Sequence, residues 1–120
     1  MKKLRNFDVV LVDFGSEMIK GEQCGIRPAV VIQNDIGNIH SSTTIVIPLT
    51  TKIKNVSQPT HTLIEKDVDN GLACDSMLLG EAIRAVSKER IRCYLGKIIR
   101  DNVKKQIRKA LEANFVEVAV

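Results

Sequence analysis

Two residue types that handle phosphate groups stand at the borders of short apolar segments. Arg27 directly precedes Pro28, whose ring disfavours helical backbone in the residue before it and so predicts an extended Arg27. An arginine held in that way presents a planar fork of donors that suits a phosphate, although a surface salt bridge is the commoner role of an arginine. Thr50 and Thr51 follow the apolar segment 45–49, so they are either plain strand formers or one hydroxyl faces a ligand.

An arginine and a hydroxyl suit the cleavage of an RNA phosphodiester without a metal. The 2′-hydroxyl of RNA is a nucleophile already adjacent to the phosphorus, so a protein must align it, remove its proton, stabilise the added negative charge and protonate the leaving 5′-oxygen. Prearranged donors usually supply the largest share of that stabilisation, and Arg27 suits the task. Because arginine stays protonated in proteins, it is a poor general base. The residues leave the base open among His61, Glu22 and Asp75.

Other kinds of chemistry lack their usual residue patterns. His40 and His61 have no cysteine or histidine at ligand spacing, so we expect no metal site. The glycines form no phosphate-binding or dinucleotide fingerprint, and no G-x-S-x-G elbow occurs. The cysteines, Cys24, Cys74 and Cys93, form no C-x-x-C pair and have no histidine that the sequence pairs with them. We therefore expect free thiols and no cofactor.

The sequence predicts several strands followed by one helix, and these elements must position the arginine and the threonines. Alternating or β-branched runs between turn signals predict strands over 8–14, 28–33, 43–47, 60–64, 73–79 and 83–87. The third of these strands either stops at Pro48 or continues past it as a bulge. Asn, Asp, Gly and Ser over 34–42 and Asp69-Asn70-Gly71 are typical of turns, and Ser87 could cap a short helical turn from Lys88. A helix that opens at Asp101-Asn102 carries Val103, Ile107, Ala110, Leu111 and Asn114 on one face. This order predicts an α+β fold, a mostly antiparallel sheet or small barrel closed by a C-terminal helix.

Length and composition bound the class of protein. A chain of 120 residues predicts a single domain over 1–120. No apolar run long enough for a membrane span or a signal peptide occurs, so we expect a cytoplasmic protein with no membrane partner. The net charge is +4, and lysine and arginine outnumber acids most strongly between Arg84 and Lys109, which suggests a polyanion or an acidic protein as partner. An aromatic content of 3% leaves little base stacking.

Several segments, taken together and in order, resemble one family. The sequence of 21–35, with Gly25-Ile26-Arg27-Pro28 inside it, resembles the signature of the MazF/PemK toxins, and 43–51 resembles their second block. Further blocks follow in the family's order: Pro59-Thr60-His61, Gly71-Leu72, Asp75-Ser76, Ile83-Arg84, 87–91 and 95–98. The resemblance spans about residues 8–111, which is nearly the whole chain.

The resemblance implies a fold, an activity and partners. It implies a small SH3-like β-barrel with a C-terminal helix, a homodimer, and a metal-independent, sequence-specific endoribonuclease. Such an enzyme cuts single-stranded RNA to leave 2′,3′-cyclic phosphate and 5′-hydroxyl ends, inhibits growth, and is neutralised by a cognate antitoxin with an acidic segment. The family's catalytic arginine falls on Arg27 and its catalytic threonine on Thr50, with Thr51 second. The candidate RNA-binding residues are Glu22, Gln23, Thr51, His61, Asp75, Ser76, Glu81 and Arg84.

Two departures from the family pattern keep other functions open. Gly21 replaces a serine of some members, and Ala82 replaces the glutamine of an Glu-Gln-Ile-Arg block, whose amide would add donors and an acceptor. These changes bear on sequence preference and rate. One alternative is a non-catalytic RNA- or peptide-binding module on the same fold. Another is the related class of toxins that poison a DNA topoisomerase through a C-terminal helix, whereas this chain ends in the apolar segment 115–120.

Overall fold

Seven strands and two α-helices build the part of the chain that the computed structural model describes, residues 3–17, 19 and 23–117. The strands are β1 (Asp8–Asp13), β2 (Ile26–Val31), β3 (Thr43–Thr50), β4 (His61–Ile64), β5 (Ser76–Leu79), β6 (Arg84–Ser87) and β7 (Ile91–Lys97). The helices are α1 (Asp35–His40) and α2 (Asp101–Glu112), and 3-10 turns cover Gly80–Ala82, Lys88–Arg90 and Ala113–Phe115.

The strands form one antiparallel sheet in the order β4-β5-β3-β2-β1-β7. The long strand β3 pairs with β2 along one edge, while its first half pairs with β6 and its last two residues pair with β5. This arrangement confirms the predicted α+β class with a mostly antiparallel sheet. Of the two predicted forms, sheet or small barrel, the structure has the sheet without full closure, because β4 and β7 are not paired with each other among the described strands. Instead, α2 follows β7 and packs against β4.

Hydrophobic side chains on the two faces of the sheet pack into two cores. Side chains alternate between faces along a strand, so neighbouring residues such as Val9 and Val10 enter different cores. The first core includes Val30, Ile47 and Leu78 and is covered by α2. The second includes Val12, Ala29, Val31, Val46 and Val86. The predicted apolar face of α2 is confirmed, since Ile107 and Ala110 are buried in the first core.

Two local features differ from the predictions, and one open alternative is decided. The turn-like segment 34–42 contains α1, because the Asn34 side chain accepts a hydrogen bond from Gly37 N at 2.9 Å and caps the helix. Strand β3 continues past Pro48 to Thr50, which was one of the two predicted outcomes, and Pro48 pairs opposite Ala29 without the predicted bulge. Strand β7 was not predicted at all. Its register against β1 shifts twice, which disrupts the alternation of buried and exposed residues by which strands are predicted.

Two predicted turns are confirmed. Gly71 has a φ of +68°, and a Cβ atom there would lie 2.0 Å from the carbonyl oxygen of Leu95. Only glycine fits this close approach of the turn at 69–71 to β7. Ser87 Oγ accepts from Glu89 N at 3.2 Å and caps the turn Lys88–Arg90.

Candidate active site

Strand pairing brings Arg27 and Thr50 to the same place. Strand β2 pairs with β3 through Ala29 opposite Pro48 and Val30 opposite Ile47. The pairing of β2 with β3 ends there, but the same register continued by two residues along both strands corresponds to Arg27 opposite Thr50. Arg27 itself pairs with Val12 of β1, and Thr50 pairs with Met77 of β5. Because alternate residues share a face, Arg27 and Thr50 are on the same face of the sheet. Both line one cavity of about 350 Å³.

The Arg27 guanidinium is oriented by its own loop. Its Nε donates a hydrogen bond of 2.8 Å to the carbonyl oxygen of Cys24, and the side chain is half-buried. Its two terminal nitrogens have no hydrogen-bond partner among the described residues. A guanidinium fixed at Nε keeps the rest of its planar fork of donors available, which is the geometry that binds an anionic oxygen.

Thr50 is a buried hydroxyl at the end of β3. The residue is 8% exposed, and its Oγ1 accepts a hydrogen bond from Lys52 N at 3.1 Å. A hydroxyl has one donor and two acceptor positions, so this contact leaves the O–H proton available to the cavity. The strand and the bond from Lys52 fix the position of the oxygen.

A histidine and a glutamate that line the cavity are in hydrogen-bond contact with each other. His61 Nε2 lies 2.9 Å from Glu81 Oε2, and His61 Nδ1 lies 3.0 Å from the carbonyl oxygen of Asn55. Glu81 Oε1 accepts a hydrogen bond of 2.9 Å from Thr60 Oγ1. Burial opposes ionisation of Glu81, but the hydrogen bonds from His61, its own backbone N–H and Thr60 outweigh burial and hold its pKa below the ordinary range.

The cavity is lined mainly by groups that attract an anion. Lys52 and Lys54 are exposed on the loop after β3 and line the cavity together with Arg27, whereas Glu81 is the only carboxylate among its described lining residues. Clefts with an excess of one charge raise the local concentration of ligands with the opposite charge. Sequence reasoning missed both lysines, although their position directly after Thr50 was a usable signal.

Arg27 also borders a second cavity of about 310 Å³. Its wall includes the predicted residues Thr51 and Ser76, together with the apolar side chains of Ile26 and Leu49. The first cavity includes the predicted residues Gln23, His61 and Glu81. The guanidinium therefore stands between a charged cavity and a more apolar one.

Two predicted site residues are not brought to either cavity. Asp75 does not line them, and its Oδ1 accepts a hydrogen bond of 2.9 Å from Lys66 N. Arg84 stacks on the Phe14 ring with 5.6 Å between its guanidinium carbon and the ring centroid. Glu22, like Gly21, falls outside the described residues. Of the three candidate bases, only His61 is seen beside Arg27 and Thr50.

The described part of the chain contains no cluster of three or more histidine, cysteine or carboxylate side chains able to hold a metal ion. No helix in the same part is long and apolar enough to cross a membrane.

Comparison with known proteins places the chain among toxins. Residues 5–115 match the model of the PemK-like, MazF-like toxin of type II toxin–antitoxin systems. Over 112 residues, which are 93% of this chain and 91% of the relative, the sequence is 40% identical to an Endoribonuclease MazF of Staphylococcus saprophyticus.

Solved structures share the fold. A MazF from Deinococcus radiodurans superposes with a TM-score of 0.77 at 18% identity and covers 96% of this chain and 98% of its own. A mycobacterial endoribonuclease, solved in complex with its cognate antitoxin, superposes with a TM-score of 0.75 at 20% identity and covers 93% of this chain and 94% of its own.

Proposed function

The chain belongs to the PemK-like, MazF-like toxins of type II toxin–antitoxin systems and is an endoribonuclease of the MazF type, and we propose that Arg27 and Thr50 are its catalytic residues. The observation that carries the assignment is the register that puts these two side chains on one cavity. A guanidinium with free donors and a fixed hydroxyl can bind the same phosphate from two directions.

The reaction follows from what those two groups supply. The 2′-oxygen attacks the adjacent phosphorus, the bond from phosphorus to the 5′-oxygen breaks, and the proton lost from the 2′-oxygen is balanced by one gained at the leaving oxygen. The products are a 2′,3′-cyclic phosphate and a 5′-hydroxyl. The terminal nitrogens of Arg27 and the hydroxyl of Thr50 donate to the phosphate oxygens, whose negative charge grows in the transition state. Since the nucleophile belongs to the RNA, no metal-bound water is needed.

The proton acceptor is a separate question. His61 lines the cavity, but both of its ring nitrogens are engaged, one with Asn55 O and one with Glu81. To accept a proton from the 2′-hydroxyl it would have to leave one of these partners. The arrangement therefore favours a role for His61 in holding the cavity wall.

Substrate binding divides into phosphate and base contacts. Lys52 and Lys54 bind phosphates next to the scissile one, which makes affinity fall with salt. Gln23 and Glu81 in the first cavity, and Thr51 and Ser76 in the second, hydrogen-bond to bases. The edges of bases are open to such contacts in unpaired RNA, so the substrate is single-stranded.

The same charge pattern suits the partners implied by the family. We propose that a cognate antitoxin covers the cavity with an acidic segment, which the cations Arg27, Lys52 and Lys54 would attract. We also propose that the chain forms a homodimer and acts in the cytoplasm, where its RNA substrate is found. Light scattering of the purified protein tests this assembly, because a homodimer has twice the mass of one chain.

Cleavage in the presence of a chelator tests the proposed reaction. The purified protein is incubated with an unstructured RNA and EDTA, and the new ends are identified. We expect cutting at defined sites, with cyclic phosphate and 5′-hydroxyl ends. Loss of cleavage on chelation, or 5′-phosphate ends, would rule out the mechanism. RNA binding without cleavage would favour the non-catalytic module, and inhibition of a topoisomerase would favour the related class of toxins.

A further inference from the structure

A series of hydrogen bonds fastens the loop after β3 to the turn Gly80–Ala82. The His61 ring stands at its centre, with Nδ1 at 3.0 Å from Asn55 O and Nε2 at 2.9 Å from Glu81 Oε2. Thr60 Oγ1 donates to the other oxygen of Glu81, and Gln58 Nε2 donates to Thr60 Oγ1 at 3.2 Å. Most of these residues, together with Lys52 and Lys54, line the cavity that contains Arg27. We call the segment 51–60 the lysine loop.

The hydrogen-bond partners of His61 determine which protonation state of its ring can keep both contacts. A backbone carbonyl and a carboxylate only accept hydrogen bonds, so each ring nitrogen must donate a proton to keep its contact. Only the imidazolium has both protons, whereas the neutral ring turns one lone pair toward an acceptor and loses that contact. The His61 side chain is 6% exposed, so water has little room to replace a lost partner.

A backbone hydrogen bond from Gly80 N to Thr60 O at 2.8 Å holds the end of the lysine loop without His61, but no such bond to the turn Gly80–Ala82 is seen for residues 51–57. Residues 51–59 are exposed, and Asn55 has a φ of +54°, the left-handed region that is costly for most residues. The carbonyl oxygen of Asn55 accepts from Gln58 N at 3.0 Å as well as facing His61. The histidine thus anchors the point at which the loop turns, and the two lysines precede that point.

We propose that His61 is a positioning residue: its doubly protonated ring fastens the lysine loop to Glu81 and so places Lys52 and Lys54 for binding RNA. Affinity for RNA then falls as pH rises and the ring loses a proton, while the chemistry at Arg27 and Thr50 is spared. This inference rests on the proposed function, because it assumes that RNA phosphates meet the two lysines.

The charges around His61 are mixed in sign. Glu81 is the carboxylate in contact with the ring, and its pKa is held below the ordinary range despite burial, so it is ionised throughout the neutral range. Arg27, Lys52 and Lys54 line the same cavity, and Lys109 of α2 lines an adjoining cavity that His61 also borders.

We call the two hydrogen bonds from His61 to Asn55 O and Glu81 the bridge, and two substitutions distinguish its effect from that of side-chain volume. His61→Gln replaces two donor nitrogens on opposite sides of the ring with one amide nitrogen and one carbonyl oxygen, so it cannot donate to both partners and breaks the bridge at every pH. Glu81→Gln preserves it with a neutral ring, because Nδ1 donates to Asn55 O while Nε2 accepts from the new amide. The Glu81→Gln variant should therefore keep its loop fastened at high pH, where the wild type releases it. His40→Gln, on the exposed end of α1, is the matched control.

Amide hydrogen exchange tests the bridge without RNA. The amides of Gln58 and His61 are hydrogen-bonded within the segment, to Asn55 O and Gln58 O. We expect their protection in the wild type to fall between pH 6 and pH 8.5, after correction for intrinsic exchange, and to stay constant in Glu81→Gln. Protection in His61→Gln should be low at both pH values, and His40→Gln should match the wild type. Unchanged protection in His61→Gln, or a pH dependence that survives in Glu81→Gln, overturns the proposal.

Steady-state cleavage then tests the consequence for RNA. Over the same pH range we expect the wild-type KM to rise about tenfold, with kcat changing little, and the His61→Gln variant to have the high KM throughout. A fall in kcat with KM unchanged would instead make His61 a participant in the chemistry and overturn its positioning role. The exchange experiment needs no cleavage, so failure of the proposed reaction and failure of the bridge are distinguishable.

Discussion

Arg27 stands opposite Thr50 when the register that pairs Ala29 with Pro48 is continued along β2 and β3. Arg27 pairs with Val12 of β1 and Thr50 pairs with Met77 of β5, so both residues that line the cavity are held by strand pairing and not by loops alone. Sites built on paired strands hold their side chains more accurately than sites on loops. The relationship has consequences for catalysis that single substitutions can measure.

Replacement of Arg27 should abolish cleavage and leave the fold intact. Arg27→Ala removes donors aimed at the phosphate, and the loss of one such donor costs about 10²–10³-fold in rate. Arg27→Lys retains the charge but not the planar fork, so it should recover only part of the rate. Single-turnover cleavage gives the rates, and circular dichroism checks folding. A fully active Arg27→Ala variant would remove Arg27 from the mechanism.

Two substitutions distinguish the contribution of the Thr50 hydroxyl to the rate from that of its side-chain volume. Thr50→Val keeps the shape of this buried side chain and removes the donor, so cleavage should fall by about 10²-fold, whereas Thr50→Ser should stay within about tenfold of the wild type. Thr51→Val is the matched control for the single-turnover rate at saturating protein, because Thr51 is exposed and lines the other cavity, where a lost base contact weakens RNA binding without slowing the chemical step. If Thr51→Val were the more damaging change, the catalytic threonine would be Thr51.

The lysine loop should account for part of the salt dependence of RNA binding. Each phosphate contact to single-stranded RNA contributes about 0.7 to the slope of log affinity against log salt. Replacing both Lys52 and Lys54 by alanine should therefore lower that slope by about 1.4 and weaken binding at low salt. Fluorescence anisotropy with an uncleavable RNA measures both. Lys105→Ala, on the exposed face of α2, is the control. An equal loss of affinity in that variant would show that RNA binding depends on the overall positive charge and not on the lysine loop.

The contact between α2 and the sheet should carry much of the stability. Ile107 is 1% exposed within the core that α2 covers. Ile107→Ala leaves a cavity and should lower the free energy of unfolding by about 2–5 kcal/mol, as measured by urea denaturation. Lys105→Ala, two residues earlier and on the exposed face, should change it by less than about 0.5 kcal/mol. Equal effects would mean that α2 is not packed as described.

Because of Asp13, the stability of the fold should depend on pH in acidic solution. The hydrogen bond from Arg92 at 2.6 Å, followed by one from Gly15 N at 2.9 Å, lowers the pKa of Asp13 below the ordinary range. The carboxylate therefore stabilises the fold above the ordinary aspartate pKa of about 3.9, and this contribution is lost as pH falls through the lowered value. Asp13→Asn should reduce the melting temperature at pH 7, and the difference should shrink in acid. A difference that does not vary with pH would contradict the contact.

Much of the fold followed from local sequence pattern. The short β-branched run in 8–14 predicted β1, which is buried on both faces, and the helical spacing from Val103 to Leu111 predicted α2, which buries one face. The same reasoning missed β7, where register shifts against β1 interrupt the alternation. It also read α1 as a turn, because capping residues and turn residues are the same types.

The candidate site was predictable only where residue type alone was informative. Arg27 beside Pro28, and the pair Thr50 and Thr51 at the end of an apolar run, could be selected by residue type, whereas the choice of Thr50 over Thr51 came from the family resemblance. The joining of His61 to Glu81 could not, because the residues are twenty positions apart and meet only through the pairing of β4 with β5. Asp75 was selected for its chemistry, but a backbone contact to Lys66 N holds it away from both cavities.

A double-mutant cycle on Arg27 and Thr50 tests the central claim most directly. Single-turnover rates are measured in EDTA for the wild type, Arg27→Ala, Thr50→Val and the double variant. If both side chains act on one phosphate, the double variant should be scarcely slower than the slower single variant, because groups that act as a unit are not additive. Losses that simply multiply would show that the two residues act independently and would contradict the account.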